Sequence, residues 1–183
     1  MINQMGTSPQ NPIPLGSTIK KKIERGDPYS SPEIYDVKIT ILELNRGREA
    51  RERLKAMGVS NEMPKAGFED ILALVKFGCF ARGRGFADEP YKIESGHFLA
   101  VSADGKTVYD PPVILEGLQP QLINRVFKIG ESETCWLHLQ VPDDERQPLL
   151  VFRREPGQGV YGIWGDVWFM LYSTNREGDE RRK

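Results

Sequence analysis

Histidine and cysteine are nearly absent from this chain of 183 residues, with two of each. Cys79 and His97 stand far from each other and from Cys135 and His138, and the four make up no recognised metal-binding motif. The sequence therefore implies no metal and no cofactor. An excess of either charge is also missing. Lys and Arg number 25 against 26 for Asp and Glu, a net charge of -1. Such a balance gives the whole molecule no field that would draw it onto nucleic acid, and only local patches remain. No apolar run approaches the roughly 20 residues of a membrane-spanning helix, so no transmembrane segment is expected. The opening Met1-Ile2-Asn3-Gln4-Met5-Gly6 lacks a basic stretch followed by an apolar one. The expectation is a cytoplasmic chain, or one that begins after a removed signal or anchor.

What is present is strand chemistry. Hydrophobic residues at 39% and charged residues at 28% are ordinary for one folded domain. Residues 1–14 are rich in Asn, Gln, Ser, Thr and Pro and read as a flexible lead-in. The main domain then spans 15–173. Its first segment, Leu15 to Ile23, reads as an edge strand whose lysines discourage unwanted pairing. Tyr35, Val37, Ile39 and Ile41 alternate with Asp36, Lys38 and Thr40, the period of a half-buried strand. One helix is predicted near 48–57, with Ala50, Leu54 and Met57 on one face and Gly58 at its end. Phe68 to Ala81 reads as a long central strand covered on part of both faces. Shorter strands follow near Tyr91–Glu94 and His97–Ser102. Asp104-Gly105 predicts a type I′ hairpin with Thr107–Tyr109 as its return.

From Thr134 to Val141, Cys135, Leu137, Leu139 and Val141 are expected inward, with Trp136, His138 and Gln140 outward. Leu149–Arg153 and Asp166–Tyr172 supply the last strands, and a charged tail at 174–183 is expected to be disordered. Many short strands and a single helix predict an all-β fold: an antiparallel β-sandwich with one short inserted helix.

The chemical motifs are thin. Gly157-Gln158-Gly159-Val160-Tyr161-Gly162 matches a dinucleotide-binding pattern, yet no helix follows to hold a pyrophosphate, so it reads as a loop. Neither histidine has a carboxylate or thiol at ligand spacing, and His138 reads as a surface residue. Asp104, Asp110, Asp143, Asp144 and Glu145 sit in turns, where acidic residues are normal turn formers. Cys79 and Cys135 read as buried thiols, with one disulfide as the alternative. Four residues form a candidate contact surface: Arg82 and Arg84 in a Gly/Arg loop, and Tyr161 and Trp164 in a Gly-rich aromatic segment. No catalytic set is identified, and the chain is read as no enzyme.

The order of segments carries a resemblance. Asn11-Pro12-Ile13-Pro14-Leu15-Gly16 leads to a first strand, and Asn45-Arg46-Gly47-Arg48-Glu49-Ala50 opens the helix. Pro64-Lys65-Ala66-Gly67-Phe68-Glu69 begins the central strand. Leu99 to Tyr109, Thr134-Cys135-Trp136-Leu137 and Pro148-Leu149-Leu150-Val151-Phe152 complete the series. Across roughly Asn11 to Tyr172 this resembles a bacterial family of immunoglobulin-like domains of unknown function, which share the sandwich of the mycobacterial secreted immunoprotective antigen. The resemblance implies an exported protein or lipoprotein, an extracytoplasmic place and no catalysis. The expected function is a non-enzymatic binding or interaction module for a protein or envelope component, with nucleic acid not among its partners. Two alternatives stand beside it. One is a small-ligand carrier or cryptic hydrolase with a pocket between the helix and Trp164, and the other is a structural domain of an envelope assembly. Neither the partner nor the oligomeric state follows from the sequence.

Overall fold

In a computed structural model, residues 5–25, 33–59, 63–83, 90–153 and 166–173 are described. The large sheet has four antiparallel strands in the order β1 (Thr18–Arg25), β2 (Glu33–Arg46), β3 (Phe68–Gly83), β7 (Ser132–Pro142). A small sheet runs β5 (Phe98–Val101), β8 (Leu149–Phe152), β9 (Val167–Met170). A two-stranded ribbon pairs β4 (Tyr91–Lys92) with β6 (Val126–Phe127). Helix α1 (Gly47–Ala56) joins β2 to β3. The described chain is thus mainly β with antiparallel sheets and one α-helix.

The period-2 pattern of β2 is broken once, and the structure absorbs the break. Tyr35, Val37, Ile39 and Ile41 are buried, and continued alternation would next carry Glu43 and Asn45 into the core. A bulge between Ile41 and Glu43 inserts Leu42 instead. Glu43 and Asn45 then turn outward, while Leu44 packs against the core. A second bulge lies between Asp36 and Val37 of the same pairing, where β3 contributes the extra residue Phe80.

One apolar cluster joins the two sheets. Ile39, Ile41, Ile71, Val75 and Leu137 contribute from the large sheet, and Ala100, Leu150, Phe152 and Phe169 from the small one. Phe77 is its hub, with ring centroids of Phe127, Tyr91, Phe152 and Phe98 at 4.8, 5.8, 6.2 and 6.4 Å. Aromatic rings bury large areas and prefer such tilted or offset contacts.

The opposite face of β3 is also used, but only at one end. Ala50 and Leu54 of α1 pack with Leu72 and Trp136, joined by Leu115 and Leu118 from the segment after β5. That segment also closes the edge of β7. Val113 N donates to His138 O at 3.0 Å, Trp136 N to Pro120 O at 2.8 Å and Leu122 N to Trp136 O at 2.9 Å. An exposed strand edge invites pairing with other chains, and here it is covered.

Two expectations need correction. Residues 5–14 are not a loose lead-in. Ile13 is buried, Ile13 N donates to Trp168 O at 2.8 Å, and Met170 N donates to Ile13 O at 2.9 Å. The segment closes the free edge of β9 and crosses to the large sheet, where Gly16 N donates to Ile41 O at 2.8 Å. A single apolar anchor among polar residues gives no periodic signal, which is why the pairing is hidden in the sequence.

The turn at Asp104-Gly105 is the second. A type I′ turn needs positive φ at both central residues, yet only Gly105, at φ 74, has it. Asp104 instead accepts hydrogen bonds from Ser102 Oγ at 2.7 Å and Lys106 N at 3.0 Å. Those bonds favour a wider turn, closed by Ser102 N donating to Thr107 O at 2.9 Å. The return strand shrinks to one bridge, Val101 to Val108.

Because Phe77 fills the middle of the shared core, Phe77→Ala is expected to cost about 3–5 kcal/mol of stability. Phe77→Leu should cost clearly less, and urea denaturation of both variants measures the difference.

Candidate functional site

The two thiols lie on neighbouring strands and both face the core. Cys135 sits opposite Val75, so Cys79, four residues along β3, is about 13 Å away along the strand. A disulfide requires Cα atoms within about 7 Å, and the bonded alternative is therefore corrected to two free cysteines. Burial pushes both pKa values up to about 11, with Asp36 adding to the effect at Cys79 and Glu133 at Cys135. A thiol held protonated is a poor nucleophile and a poor metal ligand.

Both histidines are buried as well. His97 Nδ1 accepts the Glu94 backbone N–H at 2.7 Å, and its carbonyl accepts Arg153 N at 2.8 Å, which fixes the chain entering β5. His138 corrects the expectation of a surface residue. Trp136, on the same face of β7, packs with α1 and the 113–122 segment, and the His138 side chain is buried. His138 Nε2 lies 2.9 Å from Asp70 Oδ1, and Gln140 Nε2 donates to the same oxygen at 3.2 Å. A carboxylate only accepts, so Nε2 carries the proton. Nδ1 has no hydrogen-bond partner among the described residues. An imidazole and its orienting carboxylate are present, no nucleophile among the described residues is bonded to the ring, and both side chains are closed to solvent. The pair holds β3 to β7.

At the end where α1 begins, Arg46 pairs with Glu69 and donates to Glu145 O at 2.8 Å. Tyr109 Oη donates to Glu145 Oε2 at 3.0 Å. Burial and this carboxylate push the Tyr109 pKa up to about 12. Gly47, at φ 52, starts the helix, because a Cβ there would stand 2.7 Å from Glu69 Oε2. These bonds tie the β7–β8 connection and the 102–109 turn to the helix start.

The part of the large sheet that α1 leaves uncovered is different in kind. Across its strands runs one row of Lys20, Lys38, Gly78 and Ser132, and a second of Thr18, Thr40, Lys76 and Thr134. Lys22 extends the field along β1 and pairs with Asp36 at 2.9 Å. Lys20 and Lys38 are direct cross-strand neighbours, with Cβ atoms about 5 Å apart, and like charges so placed destabilise a sheet. The two bulges bracket this field. Each leaves its extra residue apolar and outward, Leu42 at 45% and Phe80 at 36% exposure. Phe80 lies across Gly78, where a Cβ would meet its ring at 3.3 Å, and Lys38 Nζ stands 3.8 Å from the ring centroid.

Of the contact residues anticipated from sequence, Arg82 lies on β3 opposite Tyr35. Arg84, Tyr161, Trp164 and the Gly157–Gly162 motif fall outside the described residues, as does the tail at 174–183. One wall of the anticipated pocket, the inner face of α1, is packed against Leu72 and Trp136. Sequence reading missed the lysine field, since its members come from three strands. The one available signal was Lys20-Lys21-Lys22 beside the alternating Lys38.

Three measurements test this assignment. Both thiols are expected to resist a thiol reagent at pH 8 in the native state and to react fully in denaturant. Unfolded cysteines ionise near pH 9, while the folded ones hold their protons to about pH 11. The unfolded state thus binds fewer protons between these values, so stability falls as pH rises through that window. Replacing both residues with Ala should flatten that fall in a pH series of denaturation curves. Separately, Asp70→Ala is expected to destabilise by about 3 kcal/mol by stranding His138 Nε2–H and the Gln140 amide.

No protein-family model, no curated protein and no solved structure matches the chain.

Proposed function

We propose that this chain is a non-enzymatic, extracytoplasmic interaction module built on an immunoglobulin-like β-sandwich, and that its binding surface is the part of the large sheet's outer face that no described element covers. The observation that carries this reading is the lysine field between the two bulges. It places unfavourable like-charge neighbours and two exposed apolar side chains on rigid strands, where solubility alone requires neither. Lysines on β1 serve edge protection, but Lys38 and Lys76 belong to the inner strands β2 and β3, where no edge needs guarding.

The sandwich assignment draws on the shared core of the two sheets and on the N-terminal segment that passes from one to the other. Its immunoglobulin-like character and extracytoplasmic place draw on the resemblance in segment order. Free buried thiols with pKa values near 11 suit an oxidising compartment as well as a reducing one, because thiolate is scarce in both. The non-enzymatic reading draws on the histidines and thiols, all four committed to the interior.

A photo-crosslinking amino acid at position 76, introduced in the native host, tests the reading. Adducts are expected from position 76 in the envelope fraction of intact cells, and none from position 106 in the distant turn. Equal adducts from both positions, or adducts confined to the cytosol, would overturn it.

A further inference from the structure

We propose that the lysine field is a docking surface for an anionic lipid bilayer, a partner assignment that rests on the reading of this face as the binding surface. Three features of the face favour that occupant. It is a sheet face carrying Lys20, Lys22, Lys38 and Lys76, with Asp36 its paired carboxylate. Lysine is a compact, mobile point charge suited to diffuse headgroups, whereas fixed bidentate recognition calls for arginine. The cations are flanked by exposed Leu42 and Phe80. Apolar side chains beside lysines match a headgroup layer over acyl chains, where buried apolar area and charge act together.

The same geometry disfavours single-stranded nucleic acid. Binding of that kind uses aromatic faces on which bases stack. Lys38 Nζ already stands over the Phe80 ring, 3.8 Å from its centroid. Its exposed part is left to touch an apolar phase rather than to receive a base.

Each lysine near an anionic surface contributes about 1 kcal/mol, a factor of about five in partitioning. Removing three should therefore weaken binding by about a hundredfold. The test is sedimentation of the full chain with phosphatidylcholine vesicles with and without phosphatidylglycerol, at low and high salt. Binding is expected only to the anionic vesicles, weakened by salt. The triple variant Lys20→Gln, Lys38→Gln, Lys76→Gln should lose about a hundredfold. Its thermal midpoint should be equal or higher, since the Lys20–Lys38 repulsion is relieved, so loss of binding and loss of fold are separable. Leu42→Ser is expected to weaken vesicle binding at both salt concentrations.

Failure to bind anionic vesicles, or binding that the triple variant retains, overturns the lipid assignment. So does lysine-dependent binding of a single-stranded oligonucleotide at vesicle-free affinity exceeding that for the vesicles. If vesicles fail while position 76 still crosslinks a protein in cells, the face stands and its lipid partner falls. If neither occurs, both fall together.

Discussion

Everything in this molecule depends on β3 being covered on two faces and paired on two edges. Its inward residues, Ile71, Ala73, Val75, Phe77 and Cys79, meet the small sheet, and Leu72 with Leu74 on the reverse meets α1 and the 113–122 segment. Burial at roughly 25 cal/mol per Å² of apolar surface rewards such a strand twice. The neighbouring elements follow from that demand. β2 and β7 satisfy its backbone, the small sheet roofs one side, and the helix roofs half of the other.

The half left open is shaped by the bulges. One corrects the phase of β2 so that Glu43 and Asn45 stay in solvent, and the other adds Phe80 at the far end of β3. An extra residue in a strand cannot join the ladder, and both extra residues here are apolar and outward. The device that keeps polar groups out of the core therefore also creates the apolar borders of the lysine face. Core and surface are linked through the register of a single strand pair.

Polar groups inside the fold follow the opposite logic. His138, Asp70 and Gln140 share hydrogen bonds between β3 and β7, and His97 folds its ring back onto the Glu94 amide. Buried polar groups cost little when they are hydrogen-bonded. Among the described residues, these bonds hold β3 to β7 and fix the chain entering β5.

Much of the architecture was legible in the residues. Alternation of Tyr35, Val37, Ile39 and Ile41 fixes β2 and its buried face. The helical spacing of Ala50 and Leu54, stopped by Gly58, fixes α1, and the mixed faces of β3 announce cover on both sides. These are local periods, written into consecutive residues. The pairing of Ile13 with β9, the sealing of His138, the separation of the two cysteines and the meeting of Lys20, Lys38 and Lys76 are not periodic. Each depends on which strand lies beside which and in what register. Strand order and register join residues tens of positions apart, so only the tertiary structure decides them.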